Sequence, residues 1–169
     1  MSEIPVVRIL FCCMGNICRS PSAEGVFRQA LSAHALHARI DMGARVELDS
    51  AGTHDYHIGA APDARAIAAA KRRGIDLSEL RARRVLSSDF ERFDLVLAMD
   101  EQNVRDLKRL APLHLQHRIR LLMEYAPDLG VRNVPDPYYG SARGFEEVLD
   151  LLEAASEGLL AELLTREAR

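Results

Sequence analysis

The 169-residue sequence has no long hydrophobic run, no large excess of charge of either sign, and no cysteine after position 18. No apolar stretch approaches the length of a membrane span, and the N-terminus lacks the basic start and apolar core of a secretory signal. The net charge of −3 gives no reason to expect nucleic acid or an anionic membrane as a partner. We therefore expect no nucleic-acid binding and no membrane insertion. We interpret the basic residues 71–74 and 81–84 as solvated helix and loop faces.

The three cysteines, Cys12, Cys13 and Cys18, are confined to seven consecutive positions. This clustering does not fit the disulfide framework of a secreted protein. We expect a cytoplasmic location, where a cluster of thiols more often indicates reactivity than a covalent link. The length, with 48% hydrophobic and 28% charged residues, fits one globular domain over residues 1–169.

Short apolar segments alternate along the chain with segments of helical periodicity. The predicted strands are residues 6–11, 44–50, 93–100 and 118–123, and the predicted helices are residues 21–34, 62–74, 101–112 and 145–164. Ser20 is the predicted N-cap of the first helix, and residues 129–144 are predicted to be a loop. This alternation predicts an α/β layered fold with a parallel sheet. Ligands of such sheets bind beyond the carboxyl ends of the strands.

The segment CMGNICR, residues 13–19, follows the first predicted strand and has the composition of an anion-binding loop. Backbone N–H groups between a strand and a helix N-terminus can surround a dianion such as phosphate. Gly15 allows a tight path, and Asn16 tolerates a left-handed conformation. Arg19 supplies a planar guanidinium for two phosphate oxygens. The residues predicted to line the substrate phosphate are Met14, Gly15, Asn16, Ile17, Cys18 and Ser20.

The same surroundings point to Cys13 as a nucleophile. A helix N-terminus and an adjacent arginine favour the thiolate form of a cysteine. A thiolate held beneath a bound phosphorus atom is placed for in-line attack. Ser20 is positioned in the sequence to donate a hydrogen bond to the sulfur. The alternative is that the cysteines are small buried apolar residues, and this interpretation suits Cys12, which continues the strand, better than Cys13.

The stretch CMGNICRSP resembles the signature of the low molecular weight protein tyrosine phosphatases. Further segments resemble that family in the same order, at residues 49–59, 62–66, 98–100 and 136–140. The resemblance covers nearly the whole chain. It implies a four-stranded parallel sheet flanked by helices on both faces, and hydrolysis of phosphotyrosine without a metal or other cofactor. The implied partner is a tyrosine-phosphorylated protein, and phosphate is the implied product and inhibitor.

Asp136, in the segment VPDPYYG, is the candidate proton donor. Attack by a thiolate expels a phenolate-like oxygen, and a proton delivered to that oxygen speeds the step. An aspartate on a proline-stiffened loop could lean over the anion site, although Pro-Asp-Pro is also an ordinary turn sequence. The resemblance implies that Asp136 is first the general acid and then the base for the water that hydrolyses a cysteinyl-phosphate.

The resemblance also suggests the walls of the substrate pocket. Tyr138 or Tyr139 would form one side and Tyr56 the other, and such apolar walls select aryl phosphates by contact area. Ser50 resembles a family serine that binds the loop asparagine, here Asn16. The alternatives from the residues alone are half-buried loop aromatics and a buried serine at a strand end.

Other functions fit the sequence less well. The six histidines form three His-x-x-His pairs, a spacing that can bind metal on a helix, but the pairs lie in separate segments and no metal site is predicted. An arsenate reductase of the same fold would need two cysteines downstream of Cys18, and none follows. A phosphoprotein-binding module without turnover would not need Cys13, Arg19 and Asp136 together. The family resemblance also raises the hypothesis that mild oxidation joins Cys13 to Cys18.

Overall fold

A computed structural model describes residues 6–38 and 45–167 of the chain. The strands are β1 (Val7–Cys13), β2 (Val46–Gly52), β3 (Leu95–Ala98) and β4 (Ile119–Leu121). The α-helices are α1 (Arg19–Ala38), α2 (Ala64–Arg72), α3 (Asp89–Arg92), α4 (Glu101–Leu110) and α5 (Ala142–Glu167). Short 3₁₀-helices span Leu113–Arg118, Leu122–Tyr125 and Pro127–Leu129.

The four strands form one parallel sheet in the order β2-β1-β3-β4. Strand β1 is therefore central, and its last residue, Cys13, lies opposite Gly52 of β2. Parallel strands need long crossover connections, which the helices supply. Since β1 ends at the carboxyl edge of the sheet, the segment after it lies where ligands of such folds bind.

Helices cover both faces of the sheet, as the resemblance implied. Alternate side chains of β1, including Ile9 and Phe11, pack in one hydrophobic cluster with α1, α2 and α5. The intervening side chains, including Leu10 and Cys12, pack in a second cluster with α3 and α4. The buried strand pattern seen in the sequence follows from this double coverage, because neither face of the central strands meets water. The predicted α/β fold class is confirmed.

Several predicted boundaries are wrong. Helix α1 begins at Arg19, so Ser20 lies inside the helix and is not its N-cap. Strand β4 has only three residues, because 3₁₀-helices flank it on both sides. Helix α5 begins three residues earlier than predicted, at Ala142, and takes up the end of the predicted loop. Helix α3 was not predicted, since four residues carry no periodic signal. Ala44, at the start of the second predicted strand, lies outside the described residues.

The basic segment 71–74 is more than a solvated face. The side chain of Arg73 is only 22% exposed, and it forms ion pairs with Glu146, Asp150 and Glu153 of α5 at 2.8, 3.0 and 3.1 Å. These contacts tie the end of α2 to α5. Within the described part of the chain, no helix is both long enough and apolar enough to cross a membrane.

Gly158 of α5 is required by close packing. A Cβ atom at this position would lie 1.8 Å from the backbone oxygen of Tyr125. We expect Gly158→Ala to lower the free energy of unfolding by about 3 kcal/mol, because the helix must move away from the backbone of Tyr125. Gly144→Ala, in the same helix, is the control, since its Cβ would meet its nearest atom at 3.5 Å. Urea denaturation measures both, and equal midpoints for the two variants would contradict the packing argument.

Candidate active site

The segment between β1 and α1 opens into a cleft at the carboxyl edge of the sheet. The cleft has a volume of about 360 Å³. Its lining residues are Cys13, Met14, Gly15, Ile17, Cys18, Arg19, Tyr56, His57, Asp136, Tyr138 and Tyr139. Residues from three separate segments of the chain thus line one cleft. The candidate catalytic groups Cys13, Arg19 and Asp136 meet here, although Asp136 is far from the other two in sequence.

The sulfur of Cys13 is enclosed by hydrogen-bonding groups. Cys13 is buried, and its Sγ lies 3.0 Å from Oγ of Ser20. The backbone N–H of Asn16 donates to the same sulfur at 3.3 Å. The hydroxyl and the amide can both donate to a sulfur anion, and hydrogen bonds to the charged form of a group favour that form.

Asn16 holds the loop in shape. It has a left-handed backbone, with φ of 58°, and among the described residues it is the only non-glycine with positive φ. Its side-chain Nδ2 donates to Ser20 Oγ at 2.8 Å and to Ser50 Oγ at 3.0 Å. Its Oδ1 accepts a hydrogen bond from the backbone N–H of Arg83 at 3.0 Å. These three bonds offset the backbone strain of about 1–3 kcal/mol.

Arg19 is fixed beside the cleft by two hydrogen-bond acceptors and one further carboxylate. It is 2% exposed. Its Nη1 donates to Oδ2 of Asp100 at 2.5 Å and to the backbone oxygen of Val134 at 3.1 Å, while Nη2 lies 3.6 Å from Oδ2 of Asp136. Burial works to lower the pKa of the guanidinium, but Cys13 and Asp100 raise it above its ordinary value. Arg19 is therefore a permanent cation that lines the cleft.

The other two thiols are kept neutral. Burial, with smaller contributions from Asp63 and Cys13, raises the pKa of Cys18 to about 12. Burial also raises the pKa of Cys12 well above its ordinary value. Both therefore stay protonated at neutral pH. Cys12 packs in the second hydrophobic cluster, as its place in the strand indicated.

Asp136 and three tyrosines form the outer part of the cleft. The side chain of Asp136 is 43% exposed, and its Oδ1 accepts the backbone N–H of Tyr138 at 3.1 Å. The rings of Tyr138 and Tyr139 meet edge to face with centroids 4.8 Å apart. Tyr56 stacks on His54 with centroids 5.2 Å apart and is largely exposed. The aromatic residues thus surround an open mouth above the sulfur.

Sequence reasoning missed three contributors to this site. His57 lines the cleft and lies against Tyr138, with centroids 6.3 Å apart, although its spacing in the sequence indicates only a candidate metal ligand. Asp100 binds Arg19, although the resemblance of residues 98–100 to the family assigns it no role. Arg83 belongs to the predicted solvated cluster 81–84, yet its side chain pairs with Asp49 and Asp89 at 3.0 and 2.9 Å. The interpretation of Arg83 as a solvated residue is wrong, because its side chain is paired with two aspartates and its backbone N–H donates to Asn16.

Within residues 6–38 and 45–167, no group of three or more His, Cys, Asp or Glu side chains is arranged to hold a metal ion.

The fold and the cleft together define the class to which this protein belongs. It is a parallel α/β protein in which a buried cysteine ends β1, a short loop follows, and a buried arginine begins α1. The sequence profile of the low molecular weight phosphotyrosine protein phosphatases matches residues 8–169. The chain belongs to this family and is a protein-tyrosine phosphatase.

Individual relatives agree with this assignment. A low molecular weight protein-tyrosine-phosphatase of Streptomyces coelicolor is 46% identical over 160 residues, covering 91% of this chain and 92% of the relative. A human low molecular weight phosphotyrosine protein phosphatase is 40% identical over 150 residues, covering 88% and 90%. The crystal structure of a protein tyrosine phosphatase from Entamoeba histolytica superposes with a TM-score of 0.88 at 37% identity, covering 95% of this chain and 99% of that one.

Proposed function

We propose that this chain, as one catalytic domain, hydrolyses phosphotyrosine in proteins through a cysteinyl-phosphate intermediate and without a metal ion. The observation that carries the proposal is the convergence of Cys13, Arg19 and Asp136 on one cleft walled by tyrosines. The cleft holds a buried nucleophile, a permanent cation and an exposed carboxyl group. These are the three groups that transfer of a phosphoryl group to sulfur requires.

In the first step, the loop amides and the guanidinium of Arg19 bind the phosphate dianion. The thiolate of Cys13 attacks phosphorus, so the S–P bond forms as the bond from phosphorus to the tyrosine oxygen breaks. Protonated Asp136 gives its proton to the departing oxygen, which leaves as tyrosine. The hydrogen bonds from Asn16 and Ser20 steady the sulfur while it is an anion.

In the second step, the Asp136 carboxylate takes a proton from water, and the resulting oxygen nucleophile attacks the phosphorus of the cysteinyl-phosphate. The S–P bond breaks, phosphate leaves and the Cys13 thiolate is restored. Because phosphate fills the same loop as the substrate, we expect it to be both product and competitive inhibitor. Tyr56, Tyr138 and Tyr139 favour aryl esters by contact with the ring. Three cysteines without a disulfide suit a reducing compartment, and we propose the cytoplasm.

Trapping of the intermediate tests this function. The protein is mixed with a phosphotyrosyl peptide in the presence of a chelator, denatured rapidly during turnover, digested and analysed by mass spectrometry. We expect one added phosphoryl group on the peptide that contains Cys13 and an unchanged rate with the chelator. A phosphoryl group on another residue, or loss of activity with the chelator, would overturn the mechanism.

A further inference from the structure

Arg65 is a charged residue beside the cleft to which the mechanism gives no part. It is the second residue of α2, and its guanidinium lies against the segment that carries Asp136. Nη2 donates to the backbone oxygen of Tyr138 at 2.8 Å, and Nη1 to that of Gly140 at 3.4 Å. The guanidinium also covers the ring of Phe145 at 4.7 Å. Arg65 thus binds the segment 136–140, which carries Asp136, through two backbone oxygens, and Arg65 itself is not among the residues that line the cleft.

Asp63 fixes the geometry of Arg65. The Nε atom of Arg65 donates to Oδ1 of Asp63 and Nη2 donates to Oδ2, both at 3.0 Å. This paired contact holds the guanidinium plane in one orientation. The hydrogen bond from Arg65 lowers the pKa of Asp63, so the carboxylate stays charged at neutral pH.

Asp63 also touches the loop that holds the nucleophile. Its backbone N–H donates to the backbone oxygen of Ile17 at 2.8 Å. Contacts therefore run without a break from Ile17 to Asp63, from Asp63 to Arg65, and from Arg65 to Tyr138. The backbone N–H of Tyr138 then donates to Asp136 itself at 3.1 Å. The loop after β1 and the segment 136–140 are thus joined through the start of α2.

We propose that Arg65 is a positioning residue that sets the placement of Asp136 relative to Cys13. The proposal rests on the role given above to Asp136 as general acid. Proton donation demands a carboxyl group within hydrogen-bond reach of the departing oxygen, and small misplacements reduce the rate strongly. Asp136 is on an exposed segment, so its placement depends on what holds that segment.

The hydrogen-bond inventory of Arg65 favours positioning over substrate binding. A guanidinium has five N–H groups. Four are engaged, by two oxygens of Asp63 and by the backbone oxygens of Tyr138 and Gly140. An arginine that binds an acidic group of a substrate needs two neighbouring N–H groups free to donate to that group.

The test compares Arg65→Met and Arg65→Lys on two esters, phenyl phosphate with a poor leaving group and para-nitrophenyl phosphate with a good one. Methionine keeps the apolar part of the side chain, and lysine keeps the positive charge but lacks the planar set of N–H donors of the guanidinium. The quantity compared is kcat/KM, which reports the steps up to and including cysteinyl-phosphate formation and leaves out its later hydrolysis. We expect kcat/KM on phenyl phosphate to fall about 10-fold in both variants, a part of the total effect of a general acid. On para-nitrophenyl phosphate we expect a fall of about 2-fold, because a good leaving group needs the proton less. The inhibition constant of phosphate should stay nearly constant.

Arg143→Met is the matched control, because Arg143 is a largely exposed arginine near the start of α5 that forms an ion pair with Glu147 of the same helix, at 3.3 Å. It should leave both rates unchanged. The double variant Arg65→Met with Asp136→Ala should be no slower than Asp136→Ala alone, because Arg65 acts through the acid. Thermal unfolding of each variant shows that it is folded.

Two results would overturn the role of Arg65 alone. One is an equal loss on both esters, and the other is a double variant slower than Asp136→Ala by the full Arg65 effect. If instead Asp136→Ala keeps the wild-type rate on phenyl phosphate, the general acid is misassigned, and the proposal for Arg65 ends with it.

Discussion

Cys13→Ser is expected to lower kcat for para-nitrophenyl phosphate by about 10⁴-fold or more, the scale on which enzymes lose activity without their nucleophile. A serine hydroxyl stays protonated at neutral pH and is a weak nucleophile in that form. Its neighbours, the hydroxyl of Ser20 and the N–H of Asn16, are arranged to steady an anion. Steady-state kinetics of the purified variant measures the loss.

The neighbouring cysteine supplies the control for this substitution. Cys12 is fully buried on the opposite face of β1, so Cys12→Ala should keep kcat within about 3-fold of wild type. Cys13→Ser should still bind phosphate, because Arg19 and the loop amides are unchanged. If Cys13→Ser keeps a kcat within about 10-fold of wild type, assayed at the same protein concentration, another group attacks phosphorus.

Asp136→Asn is expected to have the second largest effect, a fall in kcat/KM of about 10³-fold on phenyl phosphate. Asparagine keeps the shape and can still accept the N–H of Tyr138, but it cannot deliver a proton to the leaving oxygen. The loss should shrink on para-nitrophenyl phosphate, whose leaving group needs the proton less. The slope of kcat/KM against leaving-group acidity, measured over a series of aryl phosphates, reports this directly, because kcat/KM excludes the later hydrolysis of the cysteinyl-phosphate.

The control for Asp136→Asn is Asp128→Asn, because Asp128 is an exposed aspartate of the short 3₁₀-helix Pro127–Leu129 and is not among the residues that line the cleft. It should leave the slope unchanged. An identical slope for Asp136→Asn and wild type would remove the general acid from the mechanism while leaving the nucleophile in place.

The parts of the site that are contiguous in sequence could be predicted from it. Residues 13–19 join a buried strand to a helix, and local rules for glycine, asparagine and arginine indicate an anion loop there. The order of strands and helices likewise predicted a parallel α/β fold, because each periodicity is a local property of the chain. Asp136 could be singled out only through resemblance, since Pro-Asp-Pro alone fits a turn equally well.

The supporting contacts could not be predicted, because each joins segments that meet only in the folded protein. The ion pair between Arg19 and Asp100 crosses from α1 to the start of α4. The bond between Asn16 and Arg83 depends on a loop packed beside β2. Charge composition suggested solvated arginines at positions 81–84, whereas Arg83 is neutralised by two aspartates brought from other segments.

The nucleophilicity of the Cys13 sulfur is the property on which the proposed mechanism depends, and its selective alkylation tests it most directly. The protein is treated with iodoacetate at neutral pH, and modification of each cysteine is followed by peptide mass spectrometry. Cys12 and Cys18 act as internal references, because burial raises the pKa of both. We predict rapid modification of Cys13 alone, and protection of Cys13 by phosphate. Modification of Cys13 no faster than that of Cys12 and Cys18 would contradict the mechanism.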